Sequence, residues 1–169
     1  MKRIGLIVNH SRERAAEGEV LLRRLAVERR IELLPVEKAS EAEAVIVLGG
    51  DGSMLSAAHC LTGFKLPLIG FNAGSLGYLT SVEECNFGAA LDDLAADRFT
   101  IEECGVLSTR IFDPAGNLRR VMRDAMNDVV VARGATGRAL SLTVTIDGRT
   151  VTTYVCDGII LSTPLGSTA

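Results

Sequence analysis

The chain has few of the side chains that build metal centres or disulfide scaffolds. Among its 169 residues are four cysteines, two histidines and no tryptophan, and aromatic residues make up 4 %. No two cysteines form a CxxC pair and the two histidines are far apart in sequence, so a zinc site is not expected. We interpret the cysteines as reduced core residues of a cytoplasmic protein. They are Cys60, Cys85, Cys104 and Cys156.

Long apolar runs and a surplus of positive charge are also missing. No segment approaches the roughly 18 apolar residues that a membrane-spanning helix needs. The net charge of -3 argues against a general nucleic-acid binder. The N-terminal MKRIGLIVNH has a short apolar stretch and no small-residue cleavage site, so it predicts a first strand rather than a signal peptide. We therefore expect neither a membrane nor a nucleic acid as partner.

The first part of the chain alternates between strand and helix patterns. Short apolar runs predict strands over 3–8, 31–34, 44–48 and 66–71, and helical spacing predicts helices over 12–30, 54–61 and 83–96. Such alternation is typical of a parallel sheet with helices on its faces. We therefore expect an α/β nucleotide-binding domain over residues 1–98.

From residue 99 onward the pattern changes to β-branched runs separated by turn residues. The runs cover 99–110, 121–132, 140–146 and 151–162. Asp147-Gly148 lies between two alternating Thr/Val stretches and predicts a hairpin. We expect residues 99–169 to form an antiparallel β domain.

Glycine is abundant, with 17 residues, and eight of them lie between positions 49 and 88. The sharpest element is Gly-Gly-Asp-Gly-Ser at 49–53, which follows a buried strand and opens a helix. Glycines there let a phosphate approach the backbone, and helix N-terminal N–H groups point at it. The alternative is a tight turn in which Asp51 or Ser53 caps the helix. The element is neither a Walker A loop nor GxGxxG, so Asp51 is interpreted as a base for a substrate hydroxyl or as a holder of Mg²⁺ through water.

Three further elements carry polar groups. Asn-Ala-Gly-Ser-Leu-Gly-Tyr-Leu at 72–79 follows the next predicted strand and should face the same crevice, although it could be a plain connecting loop. Asn127-Asp128 could bind a ribose or a base edge, or could simply start a strand. Residues 157–169 form a strand followed by a loop rich in serine, threonine and glycine.

Together and in this order, the four elements resemble the motifs of the NAD kinase family. The family's Gly-Gly-Asp-Gly-Thr/Ser motif matches 49–53, and its Asn-x-Gly-x-Leu-Gly-Phe/Tyr-Leu motif matches 72–79. Its Asn-Glu/Asp pair matches 127–128, and its long Asp-Gly…Ser-Thr-Pro-Thr-Gly-Ser-Thr-Ala motif matches 157–169. The resemblance covers essentially the whole chain.

The resemblance implies an enzyme that transfers the γ-phosphate of ATP, or of polyphosphate, to the 2′-hydroxyl of the adenosine ribose of NAD, with Mg²⁺ present. Asp51 would be the general base, and its position between glycines predicts a mobile and exposed carboxylate. The full-length protein would be a homodimer or homotetramer. The other ligand-binding residues that the resemblance implies are Gly50, Gly52 and Ser53 along the phosphates, Asn72 beside them, and Asn127, Asp128, Arg138, Asp157, Thr168 and Ala169 around NAD.

The chain departs from the family pattern at two residues and in its length. Leu165 replaces a threonine, and Val155 stands where many members carry arginine. Members also run on for roughly another hundred residues, so we expect an incomplete β domain with exposed apolar surface and little activity alone. Two alternatives to an NAD kinase follow: a non-catalytic NAD- or NADP-binding module, and a lipid or sugar kinase of the same superfamily.

Overall fold

The computed structural model describes residues 1–11, 13–61, 63–72, 74, 77–135 and 137–168, with only the backbone of Glu13. The chain divides into two compact units, Met1–Glu103 and Cys104–Ala169. The first unit is a parallel sheet with helices, and the second contains antiparallel strand pairs.

The sheet of the first unit has five parallel strands in the order β2-β1-β3-β4-β5. This confirms the predicted α/β fold. The chain leaves β1 toward β2 on one side and returns to β3 on the other, and ligands of open α/β sheets bind at such a switch in strand order. The strands are β1 (Arg3–Val8), β2 (Glu32–Pro35), β3 (Ala44–Leu48), β4 (Leu68–Asn72) and β5 (Val82–Glu83), and the helices are α1 (Glu13–Glu28), α2 (Asp51–Cys60) and α3 (Phe87–Ala95).

Strand β3 is buried along its whole length, as its uniformly apolar sequence predicts. Its side chains alternate between two cores. Ile46 and Leu48 pack with residues of α1 and α3. Val45 and Val47 pack with Met54 and other residues of α2. The helices therefore cover both faces of the sheet, and the carboxyl end of β3 is left as the edge where a loop can reach solvent.

The face covered by α1 and α3 holds the largest buried side chains. The rings of Phe71 and Phe87 lie 4.8 Å apart between centroids. Outside this core, the Arg29 guanidinium on the α1 side lies 2.8 Å from the Asp92 carboxylate of α3. The hydrogen bond from Arg29 lowers the pKa of Asp92 below its usual value.

Helix α2 begins three residues earlier than its apolar spacing predicts. Its first residue is Asp51 and its N-cap is Gly50. The hydrophobic pattern starts only at Met54, because the first turn carries the glycine-rich motif instead of core side chains. Gly49 and Gly50 therefore connect β3 to the helix, and the rest of the motif forms the first turn of α2.

The described part of the second unit contains three separate pairs of antiparallel strands. They are β6 (Arg110–Phe112) with β7 (Leu118–Val121), β9 (Leu140–Ile146) with β10 (Arg149–Cys156), and β8 (Asp128–Ala132) with β11 (Gly158–Ser162). The predicted run 151–162 is thus two strands. The strand predicted over 99–110 is wrong for 99–106: Leu107 makes a single bridge to Ala125, and β6 starts at Arg110.

The hairpin predicted at Asp147-Gly148 is confirmed. The two residues join β9 to β10 and have φ values of +50° and +76°. Positive φ at both central positions is the signature of a type I′ turn, whose twist matches that of the flanking strands. A glycine at the second position adopts this conformation without steric cost.

Apolar side chains are packed differently in the two units. Every buried apolar side chain among the described residues lies at or before Leu94, in the first unit. Strands of the second unit instead present apolar side chains to solvent, including Val130, Val155 and Ile160 with 56 %, 79 % and 68 % exposure. The exposed apolar surface expected for the β half is therefore present.

The cysteines are not the core residues that the sequence analysis expected. All four are free thiols, and Cys60, Cys85 and Cys104 are exposed. Cys60 ends α2, Cys85 lies in the short 3-10 turn Glu84–Asn86, and Cys104 lies between elements.

Across the part of the chain that the structure describes, no helix combines the length and the apolar character that crossing a membrane requires.

Two isoleucine substitutions compare the packing of the units. Ile46→Ala in β3 removes a side chain with 0 % exposure and should lower the free energy of unfolding by about 2–5 kcal/mol. Ile160→Ala in β11, where the side chain is 68 % exposed, should change it by less than about 0.5 kcal/mol. Urea unfolding of the 169-residue chain measures both, and equal losses would contradict this account of the core.

Candidate functional site

The glycine-rich turn connects the buried end of β3 to α2. Gly49 donates its N–H to the Phe71 carbonyl at 2.9 Å, which continues the β3–β4 pairing beyond the strand. A side chain at Gly49 would overlap Ser53, so the turn can close only with glycine there. The N–H groups of Asp51 and Gly52 fall in the first turn of α2, where no intrahelical carbonyl is available to accept them.

Two main-chain N–H groups of the second motif hold the Asp51 carboxylate. Tyr78 N–H donates to Oδ2 at 2.8 Å, and Leu79 N–H donates to Oδ1 at 2.9 Å. The side chain is half-buried. The expectation of a mobile, exposed carboxylate is therefore wrong, because both oxygens are anchored. Each oxygen still has a lone pair with which to accept another hydrogen bond.

Gly77 makes this anchor sterically possible. A Cβ at this position would overlap the Asp51 carboxylate, so the main chain reaches the carboxylate only without a side chain. Gly74, in the same loop, differs: a Cβ there would lie 3.5 Å from the nearest atom, the Asn72 Oδ1, which is an ordinary contact. The first and second motifs are thus brought together at one carboxylate.

Beneath this turn lies a buried threonine that sequence reasoning missed. Thr80 is 1 % exposed, and its hydroxyl oxygen accepts hydrogen bonds from Gly77 N–H at 3.0 Å and from Asn72 Nδ2 at 3.2 Å. Asn72, which was predicted from the motif, is itself 4 % exposed and ends β4. It therefore lies at the same sheet edge as Asp51.

A second residue that sequence reasoning missed is Asn9, immediately after β1. Its Nδ2 donates to Ser53 Oγ at 2.9 Å, and its Oδ1 accepts from the hydroxyl of Ser11 at 2.6 Å. Asn9 extends the β1–β3 pairing beyond β1, because its N–H also donates to the Leu48 carbonyl at 3.0 Å. The sequence did carry a signal for Asn9. It is a polar residue directly after the first strand, and ligands of open α/β sheets bind at the carboxyl ends of the strands.

In the second unit, the third and fourth motifs pack against each other. The carbonyl of Asn127 accepts the Thr163 N–H at 2.8 Å, and the Thr163 hydroxyl donates to the Met126 carbonyl. Gly166 N–H in turn donates to Thr163 Oγ1 at 2.9 Å. A Cβ at Gly166 would overlap the Asn127 main chain, so glycine is needed for this approach. Asp128 begins β8, is half-buried and pairs with Ser162 of β11.

Asp157 has a partner that the sequence analysis did not identify. Arg133 donates its N–H to the Asp157 carbonyl at 2.8 Å, and its Nε lies 2.9 Å from Asp157 Oδ1. The two residues are adjacent because β8 ends at Ala132 and β11 begins at Gly158 in an antiparallel pair. The Asp157 side chain is 75 % exposed, so this ion pair is a surface interaction.

Among the remaining predicted ligand residues, Arg138 and Thr168 have fewer contacts with the other motif residues. Arg138 is exposed and follows Gly137, whose φ is +71°. In the described part of the second unit, no hydrogen bond or ion pair connects Arg138 to Asn127, Asp128 or Asp157. Thr168 is exposed, with its hydroxyl 3.5 Å from the Leu165 carbonyl. Ala169 lies outside the described residues.

The first unit offers one carboxylate with hydroxyl, amide and main-chain groups around it. No set of three His, Cys, Asp or Glu side chains within the described ranges could hold a metal ion. Mg²⁺ commonly needs no such set, because it is held by one or two carboxylates together with substrate phosphates and water. The groups around Asp51 therefore fit Mg²⁺ that arrives with a phosphate ligand.

The comparisons with known families match both parts of the chain. The family model described as ATP-NAD kinase N-terminal domain matches residues 8–99, and that described as ATP-NAD kinase C-terminal domain matches residues 126–169. A protein named NAD kinase from Thiobacillus denitrificans is 41 % identical over 131 residues, which are 78 % of this chain and 44 % of the relative. Another from Moorella thermoacetica is 34 % identical and covers 100 % of this chain and 58 % of the relative. The chain thus spans about half the length of the curated relatives it matches.

Two solved structures share the fold. The yeast NADH kinase complexed with NADH superimposes with a TM-score of 0.84 at 20 % identity, covering 100 % of this chain and 59 % of that one. An NAD kinase from Archaeoglobus fulgidus in complex with ATP gives a TM-score of 0.72 at 24 % identity, covering 99 % and 63 %. The resemblance inferred from the four motifs is confirmed by the family matches.

Gly77→Ala tests the close approach to Asp51. The added methyl group must push the carboxylate off the Tyr78 and Leu79 N–H groups, and overpacking of this kind costs about 1–3 kcal/mol in the free energy of unfolding. Gly74→Ala is the matched control, because its methyl would make only an ordinary contact. Chemical denaturation compares them, and a Gly77→Ala protein as stable as Gly74→Ala would contradict the geometry.

Gly166→Ala makes the same test in the second unit. Here the methyl meets the Asn127 main chain, which cannot rotate away as a side chain does, so we expect a loss of at least about 1–3 kcal/mol. A Cβ at Gly134 would meet nothing within 4 Å, which makes Gly134→Ala the control. Limited proteolysis of the second unit reports the difference, and equal cleavage rates of the two variants would show that the approach is not tight.

Proposed function

Because the chain belongs to the NAD kinase family, we propose that the protein phosphorylates the 2′-hydroxyl of the adenosine ribose of NAD and so forms NADP. The donor is ATP or, as in some members, polyphosphate. The observation that carries the proposal is the pair of hydrogen bonds from Tyr78 and Leu79 to the Asp51 carboxylate, which joins two family motifs at one candidate base.

In the proposed reaction, Asp51 takes the proton of the ribose hydroxyl. The hydroxyl oxygen forms a bond to the γ-phosphorus, the bond from the γ-phosphorus to the β,γ-bridging oxygen breaks, and the proton passes to the carboxylate. Both carboxylate oxygens hold one main-chain hydrogen bond and retain a lone pair for this step. Phosphoryl transfer depends on positioning and charge neutralisation more than on covalent help, so one fixed carboxylate is sufficient.

The phosphate groups of the donor would lie along the first turn of α2. Gly50 and Gly52 would contribute main-chain N–H groups at a helix N-terminus, which favours anions. Ser53 would contribute its hydroxyl, because its own N–H donates to the Gly50 carbonyl at 2.9 Å. Asn9 supports this assignment, because its amide donates to Ser53 Oγ and leaves the Ser53 hydroxyl proton free to point elsewhere. Asn72, at the end of β4, completes the polar edge.

Mg²⁺ belongs to the proposal as the ion that neutralises the phosphate charge. Asp51 is the residue that would hold it, through water, in addition to accepting the proton. A cytoplasmic location and assembly into a homodimer or homotetramer are what family membership implies for the whole protein.

The proposed NAD contacts of the second unit follow the family motifs. They are supported by the packing of Gly166 on Asn127 and by the position of Asp128 at the start of β8. The hydrogen bond from the Arg133 N–H to the Asp157 carbonyl fixes the main chain at Asp157, whose carboxylate is largely exposed. The residues proposed to bind NAD are Asn127, Asp128, Arg138, Asp157, Thr168 and Ala169.

Asp51→Asn tests the base. The amide can keep the size of the side chain but cannot take the proton, so the rate of NADP formation from NAD, ATP and Mg²⁺ should fall by about 10²–10⁴-fold. NAD binding, measured by calorimetric titration, should stay within a few-fold (roughly 1 kcal/mol) of the unmutated value. Asp93→Asn, an exposed position on α3, makes the same chemical change away from the site and should leave the rate unchanged.

The assay is run on the protein as its gene encodes it and in parallel on the 169-residue chain. An Asp51→Asn protein that keeps a large part of its activity would show that another group is the base. NAD or NADP binding without turnover in both forms would indicate a non-catalytic binding module. Turnover of a lipid or a sugar in place of NAD would indicate another kinase of the superfamily.

A further inference from the structure

We propose that Thr80 is a positioning residue for Asp51: its buried hydroxyl fixes the turn whose next two N–H groups hold the carboxylate. This inference rests on the proposed function, in which Asp51 is the base. Thr80 acts through the main chain, since its hydroxyl contacts Gly77 and Asn72 and not Asp51. It is therefore distinct from the residues that touch substrate.

Three consecutive main-chain N–H groups in this turn donate to two different acceptors. Gly77 N–H donates to Thr80 Oγ1 at 3.0 Å, whereas the N–H groups of Tyr78 and Leu79 donate to Asp51. The hydroxyl thus closes a four-residue turn by accepting from the residue three positions before it. Because the Gly77 N–H is bound to the Thr80 hydroxyl, the N–H groups of Tyr78 and Leu79 are directed at the Asp51 carboxylate.

The hydroxyl also ties the turn to the sheet. Thr80 Oγ1 accepts from Asn72 Nδ2 at 3.2 Å, and Asn72 ends β4. Next to it, Ser81 N–H donates to the Gly70 carbonyl at 3.1 Å, and a Cβ at Gly70 would come within 2.8 Å of Thr80 Cα. The main chain of the turn therefore packs against β4, and the Thr80 hydroxyl stabilises this contact.

A hydroxyl oxygen has two lone pairs, and in Thr80 the two donors use both. Removing the hydroxyl takes this acceptor away from the Gly77 N–H and the Asn72 amide, next to a Thr80 side chain that is only 1 % exposed. The turn then relaxes toward another acceptor, and the Tyr78 and Leu79 N–H groups move with it. A displacement of 1 Å at a reacting group can lower a rate by about 10²-fold.

The test uses Thr80→Val, which keeps the shape and loses the hydroxyl, and Thr80→Ser as the matched control, which keeps the hydroxyl. The first readout is the amide ¹H and ¹⁵N chemical shifts of Tyr78 and Leu79, which require no turnover. Thr80→Val should shift both amides in the direction that Asp51→Asn shifts them, and Thr80→Ser should leave them near their unmutated values. If Thr80→Val does not fold, Thr80→Ala gives the same readout, because it also lacks the hydroxyl and adds no methyl group in its place.

The second readout is kinetic. Thr80→Val should lower kcat by about 10- to 10²-fold with a smaller change in KM for NAD, and Thr80→Ser should restore most of the rate. In the Asp51→Asn background, Thr80→Val should lower kcat no further, because both changes act on one group.

Unmoved amides in Thr80→Val, or a Thr80→Ser protein as impaired as Thr80→Val, would overturn the proposal. Additive losses in the double variant would also overturn it. Failure of the proposed kinase function gives a different result. In that case Thr80→Val would still shift the Tyr78 and Leu79 amides, but the Asp51→Asn protein would remain active. The result would mean that Thr80 positions Asp51 and that Asp51 is not the base.

Discussion

The two hydrogen bonds from Tyr78 and Leu79 to the Asp51 carboxylate depend on the arrangement of the first sheet. Strands β3 and β4 are parallel neighbours, so the segments that follow them leave the sheet at the same edge. One segment starts α2 with Asp51, and the other passes through Asn72 to the turn at 77–80. Because β3 is buried on both faces, the position of this edge is set by the two cores. The carboxylate is thus fixed by the packing of residues that never approach it.

In both units, two motifs are brought into contact by a glycine whose main chain lies close to the partner motif. Gly77 lets the main chain reach the Asp51 carboxylate, and Gly166 lets it reach the Asn127 main chain. In each case a buried threonine accepts the N–H of that glycine, Thr80 in the first unit and Thr163 in the second. Polar motifs are therefore positioned by glycine packing and threonine hydroxyls.

The sequence predicted the strands and helices of the first unit well and those of the second unit less well. Parallel strands such as β3 are continuous apolar runs, and the helices between them have a distinct period, so their patterns are easily separated. In the second unit the run 99–110 resembles a strand by composition, yet only Leu107 and Arg110 pair. Strand pairing there depends on partners distant in sequence, which composition does not reveal.

By itself the sequence determined the parallel α/β fold, the hairpin at Asp147-Gly148, the family and the identity of Asp51 as the candidate base. Only the tertiary structure decided that Asp51 is anchored rather than mobile, that Asn9 supports Ser53, and that Arg133 pairs with Asp157. The physical reason is that motifs record which groups the chain carries, whereas hydrogen bonds between main-chain N–H groups and a carboxylate 27 and 28 residues away depend on how the strands pair. Main-chain donors have no residue identity, so no residue pattern marks them.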